Sequence, residues 1–290
     1  MAYTAGTAAN YKDLLAVMAT FASANGWVVL EQTTDKLFLK GTGLAGIDEI
    51  YVGVETYEDQ ANNYYNWSMV GSWGWRPGRT LDRQPRSSRE AGWYVAAHFW
   101  NQPIPYWMVA TPRRIILVAK VSTTYQHVHL GLLTVPATDA QYPYPLFVGG
   151  GKGSNTDAPL RMNYSGSLDS YWSYFGRNEY SGRLVYPGGS WGGLTGGNNN
   201  DNNPAISTLT FNDANRINML TALDGSYLLE PIYVVSSNNT GVLGTFEGLY
   251  RVTGYNNSSE NIVTVNGVNH MVFQDGSRTG YGDYCALRMD

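Results

Sequence analysis

Five arginines fall within 14 residues in the first third of the chain, with one acidic residue, Asp82, between them. A guanidinium group binds a carboxylate or a phosphate through two parallel hydrogen bonds, so this segment favours an anionic partner. Pro77 and Pro85 interrupt regular structure and predict an irregular, extended loop. We interpret it as an arm that pairs with an acidic surface of a neighbouring subunit. The arginines are Arg76, Arg79, Arg83, Arg86 and Arg89.

Two other interpretations of the arginine segment stay open. A nucleic-acid-binding arm has the same residue types, but the formal net charge of the whole chain is −4, which disfavours a dedicated nucleic-acid binder. A solvated loop with no partner is the simplest interpretation, because charged residues are usually exposed.

Aromatic residues follow the arginine segment and predict the apolar part of the same interface. The chain contains 22 Tyr and 9 Trp, the two aromatic residues that are enriched at protein interfaces. We expect these rings to supply most of the binding energy and the arginines to set specificity. The residues chosen for this role are Trp93, Trp100, Tyr106 and Trp107.

His127 and His129 lie two residues apart on a predicted strand, so both side chains project from one face. Such a pair can supply two ligands of a metal site. The other histidines, His98 and His270, are distant in sequence, and no nearby acidic pair completes the site. We therefore interpret the pair as surface or interface histidines and expect no metal.

Acidic residues and tryptophans near the end of one predicted strand are typical of carbohydrate-active sites. The carboxylates are Glu55, Glu58 and Asp59, with Asp48 and Glu49 upstream, and the nearby tryptophans are Trp67, Trp73 and Trp75. Glycoside hydrolysis needs two carboxyl groups that face each other across a cleft. A cluster this local in sequence favours a solvated strand end instead, and we expect no catalytic residue and no enzymatic activity.

Two glycine-rich segments match nucleotide-binding motifs in part. Residues 41–46 have the spacing G-x-G-x-x-G, but that motif needs a helix next, and the following residues predict a strand. Residues 149–154 lack the first glycine of a phosphate-binding loop, and Gly153 stands where Ser or Thr should follow Lys152. We interpret the first as a glycine-rich hairpin loop and the second as part of a loop region, and we expect no cofactor.

Composition narrows the class of protein further. Hydrophobic residues make up 43% of the chain, enough for a core. The sequence contains no run of 18 apolar residues, so it predicts no membrane helix, and the first residues do not resemble a secretion signal. The single cysteine, Cys285, forbids an internal disulfide, and we expect it to be a buried, unreactive core residue.

The periodicity of apolar residues predicts one helix followed by strands. Residues 8–25 repeat at three- and four-residue steps, with Thr7 as the predicted N-cap and Gly26 after the C-terminus. After Gly26 the pattern is typical of strands, and Asn266-Gly267 predicts a tight hairpin. The run from Ile115 to Ala119 is apolar throughout and predicts a strand covered on both faces. We expect Ile115, Leu117, Val28 and Leu39 to be buried.

The fold class predicted from these patterns is mainly β, with antiparallel sheets in a β-sandwich-like arrangement, one N-terminal amphipathic helix and long Gly/Asn-rich loops. Composition divides the chain into residues 1–148 with the helix and a β region, 149–205 as Gly/Asn-rich loops and a connection, and 206–290 as a second β region. A single continuous domain is the alternative. The segment 186–204 is too rich in Gly and Asn to pack a core.

Several stretches together resemble a family of virion structural proteins of tailed bacteriophages and related prophages. The resemblance spans nearly the whole chain and is carried by the following stretches: 50–53 (IYVG), 63–67 (NYYNW), 104–110 (IPYWMVA), 113–123 (RRIILVAKVST), 141–146 (QYPYPL), 149–150, 260–265, 270–274, 278–279 and 283–287.

The resemblance implies a non-enzymatic structural subunit of a phage particle, with the virion as its location. It also implies a neck or collar component or a tail component, with copies of itself and other tail, neck or baseplate proteins as partners. It brings no catalytic residues. A baseplate or tail-tip component that binds or degrades host surface carbohydrate is the alternative, and a protein that contacts nucleic acid through the arginine segment is a third hypothesis.

Overall fold

Strands dominate the structure, a computed structural model in which 54% of the described residues are in strands and 10% are helical. The sheets are antiparallel and one helix lies near the N-terminus, which confirms the predicted mainly β, β-sandwich-like fold class. The structure describes residues 1–44, 48–89, 95–135, 145–153, 160–173, 181–194, 205–207, 221–222, 224–236 and 241–290.

The described elements begin with strand β1 (Ala2–Ala8) and helix α1 (Tyr11–Ala24). The strands that follow are β2 (Val28–Gln32), β3 (Lys36–Thr42), β4 (Glu49–Asp59), β5 (Tyr64–Ser72), β6 (Val95–Phe99), β7 (Ile104–Thr111), β8 (Arg114–Val121), β9 (Thr124–Leu132), β10 (Leu146–Gly149), β11 (Gly151–Gly153), β12 (Ser167–Ser170), β13 (Gly182–Val185), β14 (Trp191–Gly193), β15 (Ala205–Ser207), β16 (Glu230–Val235), β17 (Val242–Val252), β18 (Ile262–Val265), β19 (Val268–Gln274) and β20 (Tyr284–Arg288).

These strands form three sheets. The central sheet has the order β1-β7-β8-β9-β10-β13-β14, and the N-terminal sheet has the order β12-β11-β6-β5-β4-β3-β2. The C-terminal sheet has the order β15-β16-β17-β20-β19-β18. Neighbouring strands are antiparallel in every described pair.

The central sheet is covered on both faces. Alternate residues of β8, such as Ile115 and Leu117, share one hydrophobic core with α1 and the N-terminal sheet. The residues between them, Ile116 and Val118, share a second core with Phe246 and other residues of the C-terminal sheet. Both sets are fully buried, which confirms the prediction from the continuous apolar run.

Helix α1 begins later than predicted. The N-cap is Asn10, whose side chain accepts hydrogen bonds from the backbone N–H groups of Lys12 and Asp13. Thr7, the predicted cap, lies in β1, which pairs with β7. At the other end the prediction of Gly26 is confirmed, because its φ of +90° allows the backbone N–H of Trp27 to reach the carbonyl of Ala22 at 3.1 Å.

The predicted core is confirmed at Ile115, Leu117, Leu39 and Cys285, which are all at most 1% exposed. The prediction is wrong at Val28, which is 50% exposed. Val28 begins β2, the edge strand of the N-terminal sheet, and the preceding side chain, Trp27, enters the core in its place. Successive side chains on a strand point to opposite faces, so burial of Trp27 leaves Val28 towards solvent.

Part of the Gly/Asn-rich region is ordered into sheet. Strand β14 lies within residues 186–204 and pairs with β13, and the next residue, Leu194, is fully buried. Gly192 makes this packing feasible, because a Cβ there would lie 2.2 Å from the ring of Tyr186. The prediction that this segment cannot pack a core is therefore wrong for residues 191–194, and residues 195–204 lie outside the described residues.

The composition-based segments share sheets. Strands β11 and β12 complete the N-terminal sheet, and β13 and β14 complete the central sheet, although all four lie in residues 149–205. The C-terminal sheet is formed from residues 205–288. The boundaries 1–148, 149–205 and 206–290 stay a prediction.

Candidate functional site

The arginine segment crosses the outer face of the N-terminal sheet. Among the described residues 73–89, Leu81 is the only apolar side chain that is fully buried. Leu81 packs against Phe38 of β3 and Val70 of β5. Trp75 and Tyr51 cover the sides of this small cluster. The outer face of the sheet therefore anchors the segment through one apolar side chain.

Polar side chains fold the rest of the segment back on itself. Gln84 is 3% exposed, and its Oε1 accepts a hydrogen bond from the backbone N–H of Arg76 at 2.8 Å. Its Nε2 donates to the carbonyls of Arg76 and Arg79 at 3.2 and 3.1 Å. Ser87 Oγ donates to the carbonyl of Leu81, and Ser88 Oγ accepts from the N–H of Gly71. The expected extended shape is wrong, because these side chains satisfy the backbone of a compact loop.

Four of the five arginines point to solvent from this loop. Arg76, Arg79, Arg83 and Arg86 are exposed, and none of them forms an ion pair with a described residue. We call these four residues the basic surface. With Asp82 as the one acidic residue among them, they carry three net positive charges.

The fifth arginine belongs to the sheet rather than to the basic surface. Arg89 Nη1 lies 3.7 Å from Glu55 Oε2 on β4. Lys36 approaches from β3, where its Nζ donates to the carbonyl of Arg79 at 3.0 Å and lies 3.1 Å from Glu31. These contacts hold the loop against β3 and β4.

Arg86 has a defined position against an aromatic ring. Its guanidinium lies 4.6 Å from the ring centre of Trp73, within the range of a cation–π interaction. Its backbone has a φ of +47°, which is uncommon for a residue with a side chain. Its carbonyl accepts a hydrogen bond from Trp191 Nε1 at 2.8 Å, so strand β14 of the central sheet holds this end of the loop.

Three of the four aromatic residues predicted to join the interface lie away from the basic surface. Tyr106 is 9% exposed and lies in the core, where its hydroxyl packs against Gly6 of β1. The prediction that Tyr106 offers contact surface is therefore wrong. Trp107 packs 4.9 Å from the ring of Phe273, between the central and C-terminal sheets. Trp100 is partly buried against Tyr164 at 5.4 Å, and Trp93 lies outside the described residues.

A small cavity lies next to the same loop. Its volume is about 150 Å³, and it is lined by Glu49, Ile50, Ser72, Trp73, Leu146 and Val185. A cavity of roughly this volume holds one six-membered ring. Trp73 is 40% exposed at its rim, whereas Trp67 is fully buried and offers no platform to a sugar. Sequence reasoning grouped the tryptophans, because no local pattern shows that Trp67 lies inside β5 and Trp73 just beyond its end.

The carboxylates considered for hydrolysis are held in ion pairs and hydrogen bonds. Glu58 accepts a hydrogen bond from Tyr11 Oη at 2.7 Å and lies 3.1 Å from Lys12 Nζ. The Tyr11 hydroxyl, followed by Gln60 and Lys12, lowers the pKa of Glu58 to about 2. A carboxyl group with such a low pKa stays ionised at neutral pH and is unsuited to donate a proton. Glu55 lies beside Arg89, and Asp59 caps a short turn.

His127 and His129 share one face of β9, as expected, but the prediction of surface or interface histidines is wrong, because neither side chain is exposed. Both are fully buried between the central and C-terminal sheets. Burial lowers the pKa of His127 to about 4 and that of His129 to about 3, with Arg114 lowering the latter further. His127 Nε2 lies 2.9 Å from the carbonyl of Gln274. Among the described residues no group of three or more His, Cys, Asp or Glu side chains is arranged to hold a metal ion.

The two glycine-rich segments take part in sheet structure. Gly41 lies in β3, and the strand β4 follows, with residues 45–47 outside the described residues. Gly149 ends β10, and Gly150 allows close approach of β6, because a Cβ there would lie 2.1 Å from the carbonyl oxygen of Ala96. The pairing of β3 with β4 agrees with the hairpin loop predicted after Gly41, whereas the loop predicted from residue 149 on is wrong for residues 149 and 151–153, which lie in strands.

The described residues include no helix that is long and apolar enough to span a membrane. Comparison of the sequence with models of known protein families gave no match, and comparison with curated proteins gave none either.

Proposed function

We propose that the protein is a non-enzymatic structural subunit of a tailed-phage particle, a neck or collar component or a tail component, and that it assembles as repeated copies through the basic surface. The family resemblance of the sequence supports the particle assignment. The observation that carries the assembly role is the basic surface itself, four exposed arginines on a compact loop without an ion-pair partner among the described residues.

A rigid loop suits an interface because little conformational freedom is lost on binding. Gln84, Ser87 and Ser88 already order the backbone, and Arg86 is already stacked on Trp73. Three net positive charges attract an acidic surface and repel another basic one, so they set the partner and the register. The chain as a whole has a net charge of −4, so a second copy carries more acidic than basic groups.

Binding of host carbohydrate is the second candidate function. One observation favours it, the ring-sized cavity with Trp73 at its rim and the polar side chains of Glu49 and Ser72 in its lining. Sugars bind to aromatic faces with hydrogen bonds from such polar groups, so a single sugar ring suits this cavity. A tail-tip component would use it as an attachment site.

The experiment that tests the proposal is mass spectrometry of purified particles with internal peptide standards. We expect the chain in several copies per particle, in fixed ratio to the other structural proteins. Absence from particles would overturn the proposal. Release of reducing sugar from host polysaccharide by the purified protein would favour a carbohydrate-degrading tail component, and retention on double-stranded DNA at physiological salt would favour the nucleic-acid hypothesis.

A further inference from the structure

A carboxyl group is buried where the C-terminal sheet meets the N-terminal sheet. Asp275 directly follows β19 and is fully buried. Its Oδ1 accepts a hydrogen bond from the backbone N–H of Ser170, the last residue of β12, at 2.6 Å. Its Oδ2 has no hydrogen-bond partner among the described residues. One side chain therefore joins the two sheets through a single oxygen.

The groups that face Asp275 do not supply a dedicated positive charge. Arg278 follows in the same loop, but its Nη1 binds Asp169 of β12 and its Nε binds Asp283, both at 3.0 Å. Asp169 also acts on Asp275 as a second negative charge. The other polar groups from β12 are Ser170 at its end and Ser173 just after it. Cys285 of β20 lies near Asp275, with Arg251 of β17 beside it, and His127 of β9 contacts the neighbouring Gln274.

Burial and the charge of Asp169 both disfavour the ionised form of this group. Burial is the larger cause, and together with Asp169 it outweighs the hydrogen bonds from Ser173 and Ser170 and raises the pKa of Asp275 to about 7. The protonation state of the buried carboxyl therefore changes close to neutral pH.

We propose that Asp275 is a proton-operated latch between the C-terminal sheet and strand β12. The neutral carboxyl holds the junction closed. The charged carboxyl favours an open junction in which water reaches the group, because a buried charge is costly when no cation forms an ion pair with it. The latch is independent of the proposed assembly role, since the basic surface lies on the opposite side of the central sheet, on the outer face of the N-terminal sheet.

The difference in proton binding between the closed and open junction sets the direction in which pH changes opening. In the open junction the carboxyl has an ordinary pKa of about 3.9, so between about pH 4 and pH 7 the closed form holds a proton that the open form has released. Opening therefore becomes roughly tenfold more favourable for each pH unit in this range and levels off above about pH 7. His127 and His129 act in the opposite direction, because they are neutral when closed and bind protons when exposed.

Cys285 reports the opening of this junction. It is the only cysteine of the chain, it is fully buried on β20, and burial followed by the charge of Asp275 raises its pKa. A thiol reagent reaches it only when the junction opens. Dipyridyl disulfide reacts with thiols from acid to neutral pH, so the labelling rate of the native protein divided by that of the denatured protein measures opening.

The test compares wild type with Asp275→Asn between pH 5 and pH 8. Asparagine keeps an oxygen for the N–H of Ser170 and removes the titration, whereas the histidine contributions are common to both proteins and cancel in the ratio of their opening constants. We expect the opening constant of wild type, relative to Asp275→Asn, to rise about tenfold per pH unit up to pH 7 and then to level off. At pH 8 the variant should be the better protected protein.

A matched control distinguishes this latch from a general loss of a carboxylate. Asp169→Asn removes the ion pair with Arg278, so opening should increase at pH 5, where Asp275 is neutral. It also removes a negative charge that acts on Asp275, so the rise of opening with pH should be smaller than in wild type but still present. A pH-independent ratio of wild type to Asp275→Asn overturns the latch, and so does a variant that is less protected than wild type at pH 8 or fails to fold. Hydrogen exchange of the Ser170 amide gives the same comparison without thiol chemistry.

Discussion

Arginines have different surroundings in two regions of the molecule. Where the C-terminal sheet meets the rest of the chain, Arg114 binds Glu247 and Thr134, and Arg278 binds two aspartates. On the outer face of the N-terminal sheet, the four arginines of the basic surface form no ion pair with a described residue. The first set joins layers of one chain, whereas the second set is presented outward by a loop that is already ordered.

The difference indicates two roles for arginine. An arginine that pairs with a carboxylate of the same chain stabilises the fold, whereas one without such a pair can bind a carboxylate of a partner. Arg114 lies on β8 and Glu247 on β17, so their pair stabilises the contact between the central and C-terminal sheets. The basic surface stabilises no such contact, since Leu81 and Gln84 hold the loop without the charged groups. Neutralising arginines in the two regions should therefore change different properties of the protein.

Acid should have the largest effect, through the histidines that are buried between the central and C-terminal sheets. His129 lies among the rings of Phe147, Tyr171 and Phe246 at 5.3, 5.8 and 5.4 Å, and its pKa is lowered to about 3. Between about pH 6.5 and 3 the unfolded chain binds a proton there that the folded chain does not, so stability falls as the pH falls. Between pH 6.5 and pH 4.5, the free energy of unfolding should fall by about 2–3 kcal/mol less in His129→Phe than in wild type.

The measurement is denaturant unfolding of wild type and His129→Phe at each pH, under conditions in which unfolding is reversible. The contribution of Asp275 is common to both proteins and cancels in the difference. An equal loss of stability in the two proteins would contradict the burial of a neutral His129. Variants of the basic surface should lose stability with acid as wild type does.

Neutralising an internal arginine should have an intermediate effect. Arg114 is 7% exposed in its side chain, whereas Glu247 is 46% exposed and can rehydrate when its partner is lost. Arg114→Met should therefore lower the free energy of unfolding by about 1–2 kcal/mol, below the cost of breaking a fully buried pair. The check is the unfolding midpoint in urea, with Glu247→Gln as the matched change on the other side. If Arg114→Met is as stable as wild type, the pair has no structural role.

Local patterns in the sequence predicted the parts of the fold that depend on local chemistry. Asn266 and Gly267 have φ values of +53° and +79°, as the predicted tight hairpin requires. The apolar run in β8 predicted cover on both faces because each side chain there is apolar. These features need only the types of neighbouring residues, so one sequence contains enough information for them.

The remaining features depend on contacts that are distant in sequence. His127 and His129 are buried because residues more than 100 positions later form the layer above them, and no local pattern shows that layer. The compact arginine loop depends on Gln84 and on Phe38 from another strand. Strand β1 is made of small and polar residues, and pairing with β7 orders it. Sequence reasoning identified the charges of the candidate site but not its shape.

The most direct test of the basic surface is the triple variant Arg76→Ser, Arg79→Ser, Arg83→Ser, which leaves the stacked Arg86 in place. A phage without the wild-type gene is grown in cells that supply the variant, and its copy number in purified particles is measured. We expect stability within about 0.5 kcal/mol of wild type and at least tenfold less incorporation, with partial recovery in the matching triple Lys variant, because lysine keeps the charge but not the bidentate geometry. A stable triple Ser variant that enters particles at the wild-type copy number would contradict the interface.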